Sequence, residues 1–286
     1  MLTRQIIETV VRAALVEDAP WGDLTSQLLI PESAYATARL VAREPGTFAG
    51  GEVFAAAMIL TDPAIEVVLD RADGEEFAAG DTLATVSGPA RSVLQGERVA
   101  LNFTQRMSGI ATLTAAFVRE VAGTSARVVD TRKTTPGLRA FERHAVRAGG
   151  GHNHRYSLSD AVMAKDNHLA VLTAQSGLSV TDALLAVRAQ LSHTTHLEVE
   201  VDRIDQIEPV LAAGVDTIML DNFTLDELRE GVALIAGRAI VEASGNVSLA
   251  TVRAIAETGV DVISSGALTH SVRSLDLGLD VVVETP

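Results

Sequence analysis

The 286-residue chain contains no cysteine. That excludes disulfides, thiolate nucleophiles and cysteine-ligated zinc, and it agrees with cytosolic residence. Aromatic residues are only 3% of the total, so aliphatic packing must fill the core. Lysine is nearly missing: 21 of the 23 Lys and Arg are Arg, and only Lys133 and Lys165 remain. No stretch approaches the ~20 apolar residues that a membrane span needs. The opening segment MLTRQIIETVVRAALVEDAP spaces its apolar residues like a helix face and interrupts them with acids, so it does not read as a signal peptide. Positive charge is in short supply as well. A formal net charge of -14 argues against nonspecific nucleic-acid binding and against an anionic membrane surface.

What is present is a soluble, globular composition, 47% hydrophobic and 21% charged, long enough for one large domain or two ordinary ones. The first third mixes elements. Residues 3–16 read as an amphipathic helix, 36–43 as a strand, EVFAAAMIL as a helix and IEVVLD as a strand. DGEEFAAGDTLATVSGPARSVL reads as hairpins with glycine turns, and 96–121 as a helix. After about Ser125 the pattern changes to short β-rich runs: ARVVDT, AVMAK, HLEVEV, DTIML, RAIVEAS and DVISSG. Between the later ones lie RIDQIEPVLAAG, TLDELREGVALIAG and LATVRAIAETG, each ending in glycine, a normal helix stop. Alternating strands and helices predict a parallel α/β barrel, and six strands are fewer than the eight of a standard barrel.

The ends of these six strands carry the polar residues. They deliver Arg132 and Lys133, Lys165, Glu198 and Glu200, Asp221, Glu242 and Ser244, and Ser265. In α/β barrels that rim is the active-site face. Strand ends also meet solvent and are often polar for that reason alone. Between residues 126 and 168 there are eight Arg or Lys against four Asp or Glu, with four of the seven histidines. A cationic segment inside an acidic protein predicts a small polyanionic ligand held by a focused field. GGGHNHR and EASGN can aim backbone N–H groups at such an anion. There is no Walker lysine loop and no third histidine at zinc-site spacing. Glu200 and Asp221, on neighbouring strands, suit Mg2+. Arg132, Arg139 and Lys133 suit carboxylates. His154 reads either as a proton-carrying ligand or as a residue that orients its loop.

GERVALNFTQRMSGIAT, DTRKTTPGLR, AVRAGGGHNHRYSLSDAVMAKDNHL, EVEVD, IMLDNF, EASGN and GALTHS resemble the decarboxylating quinolinate phosphoribosyltransferases, in order, from about Glu17 to Leu279. The resemblance implies an N-terminal α/β sandwich (1–107 with a 271–286 tail) and an α/β barrel of fewer than eight strands (108–270). It implies transfer of phosphoribosyl from phosphoribosyl pyrophosphate to quinolinate with Mg2+, releasing pyrophosphate and CO2 and giving nicotinate mononucleotide for NAD synthesis. It also implies a cytoplasmic homodimer, with a hexamer left open, in which each N-terminal domain covers the partner's barrel mouth. By motif, Arg98 would reach the neighbouring subunit's site. Thr131, Arg132, Lys133, His154, Arg155 and Lys165 would hold the quinolinate carboxylates and nearby phosphate. Glu200 and Asp221 would face the ribose hydroxyls and Mg2+, and with Lys133 and Lys165 they form the expected catalytic set. Ser244, Gly245 and Asn246, with Ser265, Gly266 and Ala267, would cradle the 5′-phosphate through backbone N–H groups, assisted by His270. Ala164 and Ser265 depart from the usual family residues without touching a charge. Two rival expectations stay open: a related transferase acting on nicotinate or a molybdenum-associated acid, and a noncatalytic anion-binding protein.

Overall fold

The computed structural model describes residues 2–283. Twelve strands follow in chain order among them: β1 Tyr35–Ala42, β2 Gly46–Thr47, β3 Glu66–Leu69, β4 Glu76–Phe77, β5 Thr82–Pro89, β6 Arg127–Val129, β7 Val162–Ala164, β8 Leu197–Val201, β9 Thr217–Asp221, β10 Ile240–Ser244, β11 Val262–Ser264 and β12 Leu277–Val283. The chain forms two compact units. One comprises the chain up to Ala115, Thr134–Gly150, and the chain from Ser271 on; the other comprises Ala116–Lys133 and Gly151–His270.

The first unit is built on an antiparallel sheet of order β12-β1-β5-β3. Strand β1 alternates as a half-buried strand should: Ala36, Ala38, Leu40 and Ala42 are all buried, and the residues between them are not. Helix Gly51–Thr61 buries Val53, Phe54, Ala57 and Met58, and helix Arg4–Asp18 packs beside it. Thr3 caps the latter by accepting the Ile6 N–H. One expectation fails here. The hairpin region was expected to run to Leu94, but helix Ala90–Glu120 begins directly after Pro89. Ala90, Val93, Ala100 and Leu101 are buried at helical spacing, so the period of 3.6 overrides the turn signal of Gly88-Pro89. Buried Glu142 ties down the segment before its own helix. It accepts from Arg106 Nη2 at 2.9 Å, Thr135 Oγ1 at 2.8 Å and the Thr135 N–H at 3.1 Å.

The second unit is a six-stranded sheet of order β6-β11-β10-β9-β8-β7, every described pair parallel. These are the six strands expected from the sequence, consistent with an α/β barrel of fewer than eight strands. Leu197, Val199 and Val201 are buried, and so are Ile218 and Leu220, Val241 and Ala243, which in register form one apolar face of the sheet. Helices Ile207–Leu211, Leu225–Ile235 and Val252–Ala256 make the return connections. Thr224 and Glu227 form a reciprocal cap at the start of the second, which ends with Ala236 and Gly237 in the left-handed region.

Candidate active site

Register decides which side chains share a face. In parallel strands, partners across the ladder point the same way. Glu200 pairs with Met219, and Met219 with Glu242; Asp221 pairs with Ser244 one step further along. Ala164 pairs with Val199, which sets Lys165 level with Glu200. One face therefore carries Glu198, Glu200, Glu242, Asp221, Ser244 and Lys165. Glu198 and Glu242 are each only 3% exposed, whereas Glu200, Asp221 and Ser244, nearer the strand ends, are half-buried.

The cations gather at those ends. Lys165 Nζ pairs with Glu200 Oε2. The Arg155 guanidinium is held by the Ala161 carbonyl at 3.0 Å. Burial, and then the like charge of Arg132, push its pKa below the usual arginine value, so the two guanidinium groups stand close enough to repel. Lys133 is exposed, with its N–H donating to Thr131 Oγ1 at 3.1 Å and its carbonyl accepting from Thr269 Oγ1 at 2.7 Å. A Cβ placed on Gly266 would lie 2.8 Å from Lys133 Cδ and 2.9 Å from His270 Cδ2, so both side chains converge over that glycine. Arg98 belongs to the other unit and is exposed on helix Ala90–Glu120.

Two backbone cradles flank this group. Asn222, Gly245 and Asn246 all have left-handed φ values, 59°, 97° and 51°. Asn222 Nδ2 donates to Asp221 Oδ2 at 2.7 Å, and Asn246 Nδ2 to Asn222 Oδ1 at 3.2 Å, which joins the ends of β9 and β10. A side chain on Gly245 would strike Asn222 Oδ1 at 2.2 Å and its backbone nitrogen at 2.9 Å. The second cradle is Ser265 to Ala267. The Ser265 N–H donates to the Val129 carbonyl at 3.1 Å, which corrects the expectation that all three N–H groups would face a phosphate. That leaves Gly266 and Ala267 as the backbone donors of this cradle.

The GGGHNHR loop is built to place His154. Gly149 ends helix Arg139–Ala148 where any side chain would come within 2.4 Å of the Ala111 carbonyl. His152 then pairs with Val129 and extends the sheet beside β6 by one bridge. Fully buried Asp130 accepts from the His154 N–H at 2.8 Å and from Asn153 Nδ2 at 2.5 Å. The two histidines do not share an environment: His152 is exposed, whereas the His154 side chain is 12% exposed. His154 Nε2 lies 3.3 Å from Glu198 Oε2 and 3.5 Å from Glu242 Oε2. Its Nδ1 accepts the Arg155 N–H at 2.7 Å, so the ring proton sits on Nε2, facing the acids. Burial alone would lower the His154 pKa; hydrogen bonds to Glu198 and Glu242, and their charges, outweigh it and push it up to about 10. Burial, with the nearby Glu242 charge, pushes Glu198 up despite its bond to His154. With Nδ1 taken up by the Arg155 N–H, the ring meets the two acids through Nε2. Reading the sequence assigned Glu198 and Glu242 to the strand ends but gave them no role, and passed over Asp130, Asn153 and Asn222.

The chain matches two family models. Residues 23–108 match the quinolinate phosphoribosyl transferase N-terminal domain, and 110–280 the C-terminal domain of the same family. This chain belongs to the quinolinate phosphoribosyl transferase family. Among curated members it is 44% identical over 280 residues to the nicotinate-nucleotide pyrophosphorylase [carboxylating] of Mycobacterium leprae, covering 95% of both chains. It is 42% identical over 268 residues to the probable nicotinate-nucleotide pyrophosphorylase [carboxylating] of Bacillus subtilis, covering 94% of this chain and 91% of that one. The crystal structure of NadC from Streptococcus pyogenes superposes with a TM-score of 0.94 at 41% identity, covering 100% of this chain and 99% of that one. Arg98 falls within the family's N-terminal match and the other expected site residues within its C-terminal match.

Proposed function

We propose that this protein transfers phosphoribosyl from phosphoribosyl pyrophosphate to the ring nitrogen of quinolinate and releases pyrophosphate, CO2 and nicotinate mononucleotide. The observation that carries the reading is the convergence of Arg132, Lys133, Arg155 and Lys165 on one set of parallel strand ends. Those ends also hold Glu200 and Asp221, and the two lysines are the only ones in the chain. Quinolinate is a dicarboxylate, and planar guanidinium groups with compact ammonium groups are what bind it. Arg132 and Arg155 repel one another in its absence, so the dianion relieves their repulsion as it binds.

Positive charge builds at the anomeric carbon as the C–O bond to pyrophosphate breaks. Glu200 and Asp221, on the same face, stabilise that charge and hold the ribose hydroxyls. The backbone N–H groups of Gly245, Asn246, Gly266 and Ala267 receive the 5′-phosphate, with His270 beside Gly266. Lys133, above Gly266, neutralises the departing pyrophosphate. Glu200 and Asp221 offer the hard oxygen donors that Mg2+ takes, and bound there it would neutralise charge on the pyrophosphate. Once the nitrogen is ribosylated, the C–C bond to the 2-carboxylate breaks, CO2 leaves, and its electron pair stays on C2 in the ring plane, stabilised by the adjacent positive nitrogen until a proton takes it up at that carbon. No covalent nucleophile is needed, in keeping with a chain that has no cysteine.

The active form on this reading is a cytoplasmic homodimer in which Arg98 of one protomer enters the partner's site. Trp21, Leu24, Leu28 and Leu29 support it: they are between 69% and 92% exposed, a patch too apolar for a free surface. The test is to incubate purified protein with phosphoribosyl pyrophosphate, Mg2+ and either quinolinate or nicotinate and to measure nicotinate mononucleotide. Product from quinolinate alone is expected. Product from nicotinate alone moves the enzyme to a sister activity, and product from neither leaves an anion-binding protein.

A further inference from the structure

Among the described residues, Glu198 Oε1 and Glu242 Oε1 are buried side-chain oxygens without a hydrogen-bond partner. Two carboxylates buried beside each other are costly, and a fold keeps them only if something nearby makes use of them. What lies nearby is the His154 ring, whose Nε2 faces one oxygen of each. Two acceptors fix the plane of the ring where one would let it pivot. On its other side the ring accepts the Arg155 N–H, and the Arg155 guanidinium is anchored to the Ala161 carbonyl in the cation rim. The chain of contacts therefore runs from the buried acids, through one imidazole, to the backbone of a rim cation.

We propose that Glu198 and Glu242 are positioning residues: they hold the His154 ring by its Nε2–H, and the ring holds Arg155 so that its guanidinium is preorganised for a dianionic acceptor. They touch no substrate. The kinetic part rests on quinolinate being the acceptor; the geometric part does not. The same three side chains bring their ligating atoms within 4.8 Å of one another, a donor set that a divalent cation could also take, so occupancy by a metal is the competing account.

The experiment uses E198Q, E242Q, H154A and E242Q/H154A, with 15N NMR of the histidine rings in the full-length protein. Each single variant should raise KM for quinolinate roughly tenfold or more, as loss of a charge-assisted hydrogen bond does, with kcat and KM for phosphoribosyl pyrophosphate little changed. E242Q/H154A should be no worse than H154A, because the acid acts through the ring. The wild-type resonance that disappears in H154A should show the proton on Nε2, and E198Q and E242Q should loosen that preference. Additive effects, a proton on Nδ1, or a stoichiometric divalent ion that copurifies and is lost in E198Q would each overturn the proposal. If wild-type protein does not turn over quinolinate, the acceptor assignment fails, and the tautomer still decides whether the acids hold the ring. If the glutamine variants do not fold, the wild-type ring and the H154A kinetics decide: a KM rise for phosphoribosyl pyrophosphate instead of quinolinate overturns it.

Discussion

Lys165 carries the sharpest contrast between function and stability. Its side chain is 45% exposed, so its pair with Glu200 contributes only about 0–1 kcal/mol to folding. As one of four cations proposed to hold a dianion, its loss should cost far more in turnover. Lys165→Ala, and likewise Arg132→Ala, should lower kcat/KM for quinolinate at least about a hundredfold while the melting temperature barely moves. Wild-type rates in either variant would remove the residue from the site. Gly245 behaves differently. Its φ of 97° and the clash with Asn222 make Gly245→Ala costly to the β9–β10 junction, by about 1–2 kcal/mol, and should weaken phosphoribosyl pyrophosphate binding together with stability. Denaturant unfolding and KM measured on the same preparation check both. At this scale the sequence was legible where a residue type was rare. Lys133 and Lys165 announced themselves in an arginine-rich chain. Glu198 and Glu242 did not, because a strand acid looks the same whether it meets solvent or a buried histidine, and His154 reaches them only through the fold.

Elements were legible where their period was unambiguous. All six strands of the second unit coincide with runs readable from the sequence, because each is a short apolar run closed by a polar end, and the later ones are separated by helical runs ending in glycine. The start of helix Ala90–Glu120 was not, since Gly88-Pro89 followed by a short apolar run resembles a turn into a strand. Nor was the clasp at the start of helix Gly51–Thr61. Asp73 comes from a distant loop to accept the N–H groups of Gly50 and Gly51, each at 3.0 Å, and it meets His144 Nε2 at 2.6 Å. Burial by itself would raise the Asp73 pKa; the His144 contact and the two N–H groups outweigh it and hold it below the ordinary value of 3.8. A carboxylate depressed in the folded state contributes stability above its unfolded pKa, near 4, and loses that contribution as pH falls through the lower folded value. Asp73→Ala should therefore destabilise the protein by about 1–2 kcal/mol at pH 7, and the gap from wild type should close as pH drops below about 4. Denaturant midpoints across that range are the measurement, and a gap that is constant with pH would mean the clasp does not depend on charge.

At the scale of the whole molecule the acidic surface and the cationic rim set the terms. An acidic protein repels its own dianionic substrates except where Arg and Lys gather, so raising ionic strength should raise KM for quinolinate while leaving kcat nearly unchanged. The same scale holds the question of how many chains make one site. Trp21, Leu24, Leu28 and Leu29 are exposed apolar side chains, and Arg98 stands exposed on a helix of the unit that lacks the other proposed site cations. If Arg98 serves the partner's site, Arg98→Ala and Lys165→Ala are each inactive as homodimers for different reasons. A mixed dimer then contains one site with both residues intact and one with neither. Random reassortment of equal amounts should restore about one-quarter of wild-type activity, with a mass about twice the 30.1 kDa of the chain. Were Arg98 to act within its own chain, no mixture would contain an intact site, and the activity would stay at zero however long the subunits exchanged.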